Sequence, residues 1–467
     1  MRDQANRFRR IGAGGRTWAW ETIVWASMVY LALVDSSPAR AQGPSPLPDF
    51  GGPSLLSRPG GVGGRIVEAP AVYRFYVSGF GHYSTDLTAA ATDPAGRLRQ
   101  EDALGGTLAV GAYVFRRTDR SLLGLDYQGA YQAYSGATSF NGTDHMLTLN
   151  YSRRLTFRTA VDFQQGALTY GTAYRGYITP LVSDPFVETV DWSGEPLDAR
   201  TYALVTSAGL SHWLSERWST YLSGSGFVVR RHSRALVGAH GYTATGGVYR
   251  ALTPHVSLGG IYRFVSYRYP SDIGQTDAHA TGLGLNIVLS PIWSFSAAAG
   301  GYRAESERLV RVRLDPLIAL LLGQPTALEV THGVYWGTFV ESTLAAQFER
   351  SSLSFFYARG LRPGTALFAS SAVETVGFNY SYTATERLNT GIYGSYGRYR
   401  SLLQPGLHSH HYGAQWGVTY RLAGPVHLTA QLGARRYELE GRGFDRTRLY
   451  VGCGFTISPG ERPVSLW

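Results

Sequence analysis

From Val72 to Ser458 the chain repeats stretches of about ten residues in which apolar and polar side chains alternate, the pattern of a strand with one apolar face. The connections between them alternate as well. Very short polar turns, such as "RRTDRS" (116–121), "SRRLTF" (152–157), "LSERW" (214–218), "LTPHV" (252–256), "LSPIW" (289–293), "ERSSL" (349–353), "ATERL" (384–388) and "LAGPV" (422–426), take turns with longer segments. The longer ones fall near 84–103, 135–143, 171–200, 232–240, 270–278, 304–333, 361–371, 401–409 and 438–444. Counting gives about eighteen strands, and an even number leaves both ends of the array on the short-turn side. A soluble sandwich has no reason to sort its loops by length in this way.

The faces repeat the argument residue by residue. In "HHYGAQWGVTYRL" (410–422), Tyr412, Ala414, Trp416, Val418, Tyr420 and Leu422 lie on one side; His411, Gln415, Thr419 and Arg421 lie on the other. "LLGLDYQGAYQAY" (122–134) separates Leu123, Leu125, Tyr127 and Tyr131 from Asp126, Gln128 and Gln132. "VHLTAQLGARR" (426–436) separates Leu428, Ala430 and Leu432 from His427, Thr429, Gln431 and Arg435. "RLYVGCGFTI" (448–457) puts Leu449, Val451, Cys453, Phe455 and Ile457 opposite Tyr450, Gly452, Gly454 and Thr456. A barrel of about eighteen strands encloses a bore too wide for one layer of Leu and Tyr to fill. No amphipathic helices are available to cover an apolar exterior. The apolar faces therefore point to lipid, and the sheet must close, because an unpaired backbone group in lipid costs several kcal/mol.

Composition agrees. Charged residues make up only 16%, Gly numbers 57 and Tyr 31, a balance that suits strands better than a helical enzyme. The mean hydropathy of -0.12 decides nothing, since lipid-facing and water-facing residues average out in such a barrel. The positive charge is all Arg and is dispersed, which argues against nucleic-acid binding. Cys453 is the single cysteine, so no internal disulfide forms. Trp213, Trp218, Trp293, Tyr267, Tyr269 and Tyr399, near strand ends, are expected at the headgroup level.

At the front, Arg7, Arg9, Arg10 and Arg16, the apolar "TIVWASMVYLALV" (22–34) and "ARA" (39–41) read as an export signal over 1–41. A Pro/Gly-rich flexible leader follows over 42–71, the barrel over 72–458 and a tail over 459–467, where Pro459 and Pro463 oppose strand pairing.

On these residues the chain resembles bacterial outer-membrane β-barrel proteins, and among them porin-like and exopolysaccharide-export-like barrels of roughly eighteen strands. The resemblance implies an all-β, transmembrane, antiparallel up-and-down barrel in the outer membrane of a Gram-negative cell. Its partners would be membrane lipid and lipopolysaccharide, the outer-membrane assembly machinery, and a polar solute or a polysaccharide. It carries no catalytic motif. Two transport readings follow: a channel for small polar or anionic solutes, or an export pore for a secreted polysaccharide working with periplasmic partners. A barrel enzyme or adhesin is the third.

The expected lumen lining is Asp126, Gln128, Gln132, Asn150, Arg158, Asp162, Gln164, Arg263, Asn286, Glu341, Gln347, Gln415, Arg421, His427, Gln431 and Arg435. Rings of opposite charge can set selectivity. "LVRVRLDPLIALLLGQPTALEV" (309–330) breaks the strand rhythm. Asp315 is a good N-cap for a short apolar helix over 315–323, and with Arg308, Arg311 and Arg313 it forms a candidate constriction loop. His408, His410 and His411 cannot converge on a metal from adjacent strand positions. Asp277 and His279 lack the second acidic pair that an outer-membrane protease needs. No catalytic residue, metal site or cofactor motif is assigned.

Overall fold

The computed structural model describes residues 71–92, 98–170, 200–231, 238–269, 274–313, 326–362, 370–402, 406–440, 444–458 and 462–463. Export signal, leader up to residue 70 and the apolar run 315–323 lie outside them. Eighteen antiparallel strands, β1 (Ala71–Thr92) to β18 (Phe444–Ile457), each pair with their sequence neighbours. β18 closes on β1 through a ladder from Val77↔Ile457 to Ser84↔Tyr450. The fold is a closed all-β barrel of up-and-down topology. A two-residue strand, β19 (Arg462–Pro463), also pairs with Tyr73 and Val72 of β1. The tail was expected to resist pairing. Pro463 still offers a carbonyl, and a bridge this short needs little more.

The short connections run from two to four residues: 254–255, 386–387 and 424–425 at one extreme, 155–158, 214–217 and 289–292 at the other. Similar sequences make similar turns. In "LSERW" the Ser215 Oγ accepts from the backbone N–H of Arg217 (3.3 Å) and Trp218 (3.2 Å). In "LSPIW" the Ser290 Oγ accepts from Ile292 (3.2 Å) and Trp293 (3.1 Å). Thr253 and Thr385 do the same for His255 and Arg387, each at 3.2 Å. Side-chain oxygens thus replace the ladder bonds lost where the chain reverses. Gly424, at φ 50° before Pro425, takes the left-handed conformation that an L side chain rarely adopts.

Burial alternates along the strands. On β16 (His408–Ala423), β17 (Val426–Leu439) and β18, the outward residues Tyr412, Trp416, Leu432, Val451 and Phe455 are exposed, whereas His411, Thr419, His427, Thr429 and Thr456 are buried inward. The outward apolar run of β18 extends from Leu449 to Ile457. At about 3.4 Å per residue and about 40° of tilt it is about 21 Å tall, close to the band of an outer-membrane barrel.

One side-chain pattern marks the upper edge of that band. Tyr83 donates to Asp102 (3.4 Å) and Tyr357 to Glu374 (2.8 Å). The hydroxyls of Tyr127, Tyr262 and Tyr396 meet the Nδ1 atoms of His145 (3.0 Å), His279 (2.7 Å) and His410 (2.9 Å). In all five, the partner sits on the next strand, two residues toward the long loop from the residue opposite the tyrosine. Each ring stays on the apolar band while its hydroxyl reaches an ionisable group above it, as amphipathic rings do at a headgroup plane. At the short-turn end Trp213 and Trp218 are exposed, as expected. Tyr267, Tyr269 and Tyr399 are not. Their odd numbers put them on the inward face with Arg263 and Val265, and they are buried.

Candidate functional site

Inside the barrel, large side chains lie flat over residues without one. Phe339 of β12 (Thr326–Gln347) covers Gly300 and Gly282 on the two strands before it; a Cβ on either glycine would come within 2.6 Å of its ring. Over this surface Arg263 of β9 (Val256–Tyr269) spans β10 (Gly274–Val288) and β11 (Trp293–Arg313). Its Nη1 donates to Glu341 Oε1 of β12 at 2.7 Å, its Nε donates to Thr245 Oγ1 at 3.2 Å, and its guanidinium stands 5.9 Å from the Phe339 ring.

The expected lumen residues divide as follows. Asp126, Gln128 and Gln132 of β3 (Ser121–Tyr134), Asn150 of β4 (Gly142–Arg154), Asp162 and Gln164 of β5 (Thr159–Tyr170), Arg263, Asn286, Glu341 and Gln347, and Gln415, Arg421, His427, Gln431 and Arg435 of β16–β17 all fall on the inward register. Arg158 does not, because β5 starts at Thr159 and Arg158 belongs to the short turn before it, its carbonyl accepting from Trp213 N–H at 2.8 Å. Arg308, Arg311 and Arg313, expected in a loop, belong to β11 (Trp293–Arg313), which pairs with β12 up to Arg313↔Thr326. Asp315 lies outside the described residues. His408 and His410 face outward and His411 inward, and no metal-ligand cluster is found among the described residues.

Charge is distributed unevenly around the bore. On β16–β18 the inward positions include Arg421, Arg435, Arg446 and Arg448, with His411 and His427, and no carboxylate. Arg435 and Arg448 stand directly opposite each other. β1 adds Arg74 and His82. Its Asp86 receives Arg446 Nε, at 3.0 Å on the carbonyl and 3.4 Å on the carboxylate. The aspartates gather instead on β3–β5 as Asp126, Asp144 and Asp162, with Gln132 Nε2 donating to Asp144 at 2.7 Å. Arg74, Arg446 and Arg448 escaped the sequence reading. The alternation that places Tyr450 and Gly452 inward already reaches Arg448 within 448–457, and reaches Arg446 once β18 is extended to its start at Phe444.

Part of the wall turns inward at the long-loop end. β12 and β13 (Ser351–Arg362) pair only up to Val340↔Arg359, yet β13 continues to pair with β14 (Ser371–Thr385) up to Arg362↔Ser371. The end of this hairpin therefore leaves β12 and folds over the inner wall. Tyr267 donates to the Leu361 carbonyl at 3.4 Å. Tyr269, Ser370, Thr276 and Ser306 join in a buried hydroxyl chain with steps of 2.7, 2.7 and 2.8 Å.

An apolar exterior of membrane height, a tyrosine plane at its upper edge, short turns on one side and a polar bore decide what the chain is. It is an outer-membrane β-barrel.

No family model and no curated protein matches the chain. Among solved structures, the barrel is similar to Acinetobacter baumannii OccAB4, with 10% identity, 84% of this chain and 99% of that one covered, and a TM-score of 0.39. It is similar to Pseudomonas aeruginosa OccK2 (OpdF) in complex with glucuronate, with 12% identity, 83% and 98% covered, and a TM-score of 0.38. It is also similar to a BenF-like porin from Pseudomonas fluorescens Pf-5, with 11% identity, 83% and 99% covered, and a TM-score of 0.40.

Proposed function

We propose that the barrel is a channel for small anionic solutes. The observation that carries the reading is the inward basic strip of β16–β18, above all Arg435 directly opposite Arg448. Like charges placed opposite each other on a sheet destabilise it. A wall that keeps them, with no carboxylate inward on those three strands, is suited to a passing anion; Arg446, two residues on, is already paired with Asp86 of β1. Guanidinium groups also bind carboxylates through paired hydrogen bonds. The aspartates on β3–β5 would orient a solute that carries both an acid and hydroxyl groups.

Planar-bilayer recordings under a KCl gradient test this. The reversal potential is expected to show preference for chloride, and the double variant Arg435→Glu/Arg448→Glu to reverse it. Glucuronate is a suitable probe, expected to reduce chloride current through the wild type and not through that variant. Cation preference in the wild type, or selectivity unchanged in the variant, would overturn the reading.

A further inference from the structure

Between Glu216 and Asp272 the chain carries seven Arg and three His and no Asp or Glu. This interval contains β7 (Trp218–Arg231), β8 (Ala239–Thr253) and β9. At their long-loop ends, two of these arginines and one histidine meet on the outer surface, away from the bore. His240 lies directly opposite Arg268, and Arg230 lies two residues beyond Val228, the other residue opposite His240. All three are exposed. Arg268 Nη1 donates to Gln275 Oε1, and Gln275 Nε2 donates to Glu307 at 3.1 Å, so the guanidinium is held on one side. Asp277, on β10, is the one carboxylate of the neighbouring strand on this face, opposite Ser266.

The cluster stands one outward position above Tyr242, whose ring contacts Phe264 at 5.8 Å. Below Tyr242 the same strands present Val248, Leu258 and Tyr262 to lipid. An apolar face that continues directly into two arginines flanking a histidine, with Asp277 the one carboxylate of the neighbouring strand, matches an amphiphile with acyl chains and an anionic head. Because the long loops of such barrels face outward, that amphiphile belongs to the outer leaflet. We infer that Arg230, His240 and Arg268 form a binding site for the phosphate of an outer-leaflet glycolipid. A soluble anion would gain the cations alone; a lipid gains the cations and the wall beneath them.

The test uses the full chain folded in detergent micelles, titrated with diphosphorylated lipid A and with the same lipid after removal of its phosphates. The phosphorylated form is expected to bind at least about tenfold more tightly, the scale of one charge-assisted hydrogen bond. The variant Arg230→Gln/His240→Gln/Arg268→Gln is expected to lose that preference. A control, Arg217→Gln/Arg250→Gln at the opposite end of the same strands, keeps it. Heat-modifiable gel migration confirms that each variant is folded. Absence of a phosphate preference in the folded wild type, or its persistence in the triple variant, would overturn the inference. So would a water-soluble sugar phosphate binding as tightly as the lipid. Anion selectivity of the pore is expected to be unchanged in the triple variant, so the two proposals fail separately.

Discussion

Replacing Leu432 by Arg places a charge on the outward face of β17, between Trp416 and Val451 on the flanking strands. Leu432 is 52% exposed, and its apolar neighbours Trp416 and Val451 on the same outward face are exposed too. It lies one outward position from Ala430 and Cys453, the middle pair of the β18 apolar run, and hence about 5 Å from the centre of the band at the usual rise and tilt. An Arg at the midplane costs about 2–4 kcal/mol and less toward the edges, so about 2 kcal/mol is expected here. That corresponds to about a thirtyfold change in the folding equilibrium. Asn286→Arg, at an exposed position on the bore side, is expected to cost within about 1 kcal/mol. Urea titration of the barrel in lipid vesicles, followed by tryptophan fluorescence, measures both. A larger cost for Asn286→Arg than for Leu432→Arg would refute the assignment of faces.

Three further outcomes follow from the interior. Gly300→Ala puts a Cβ against the Thr281 carbonyl and 2.6 Å from the Phe339 ring, so the urea midpoint is expected to fall. Arg263→Met leaves Glu341 without its 2.7 Å partner in a half-buried wall; urea titration should show a loss of about 3 kcal/mol, and Arg263→Met/Glu341→Leu should recover much of it. Ser370→Ala removes both bonds that tie the β13–β14 hairpin to Tyr269 and Thr276, and single-channel recordings are expected to show higher or noisier conductance.

Sequence carried most of the architecture because membrane strands obey a strict period of two between turns of fixed chemistry. Ser215 and Ser290, in turns that look alike on paper, cap their turns with the same pair of bonds. The pattern fails where the physics changes. Above the tyrosine plane the outward face is wet, so Arg303, Glu305 and Glu307 of β11 and His332 of β12 replace apolar residues, and alternation vanishes although the strands continue. The segment 304–333 therefore looked like a loop. The same blurring hid Arg446. Tyr267 and Tyr269 misled for another reason. Aromatic residues near strand ends suit a headgroup plane, but side-chain parity directs these two into the bore, where their hydroxyls hold the β13–β14 hairpin.

Cys453 offers the most direct test of which side of this sheet meets the acyl chains. It is the one cysteine, exposed on the outer face of β18 in the middle of the apolar run. A nitroxide attached there, in barrels reconstituted into lipid vesicles, reports collisions with oxygen, which partitions into hydrocarbon, and with a water-soluble nickel chelate. Frequent oxygen collisions and almost none with nickel are expected; the reverse ratio would place Cys453 in water and contradict a lipid-facing exterior.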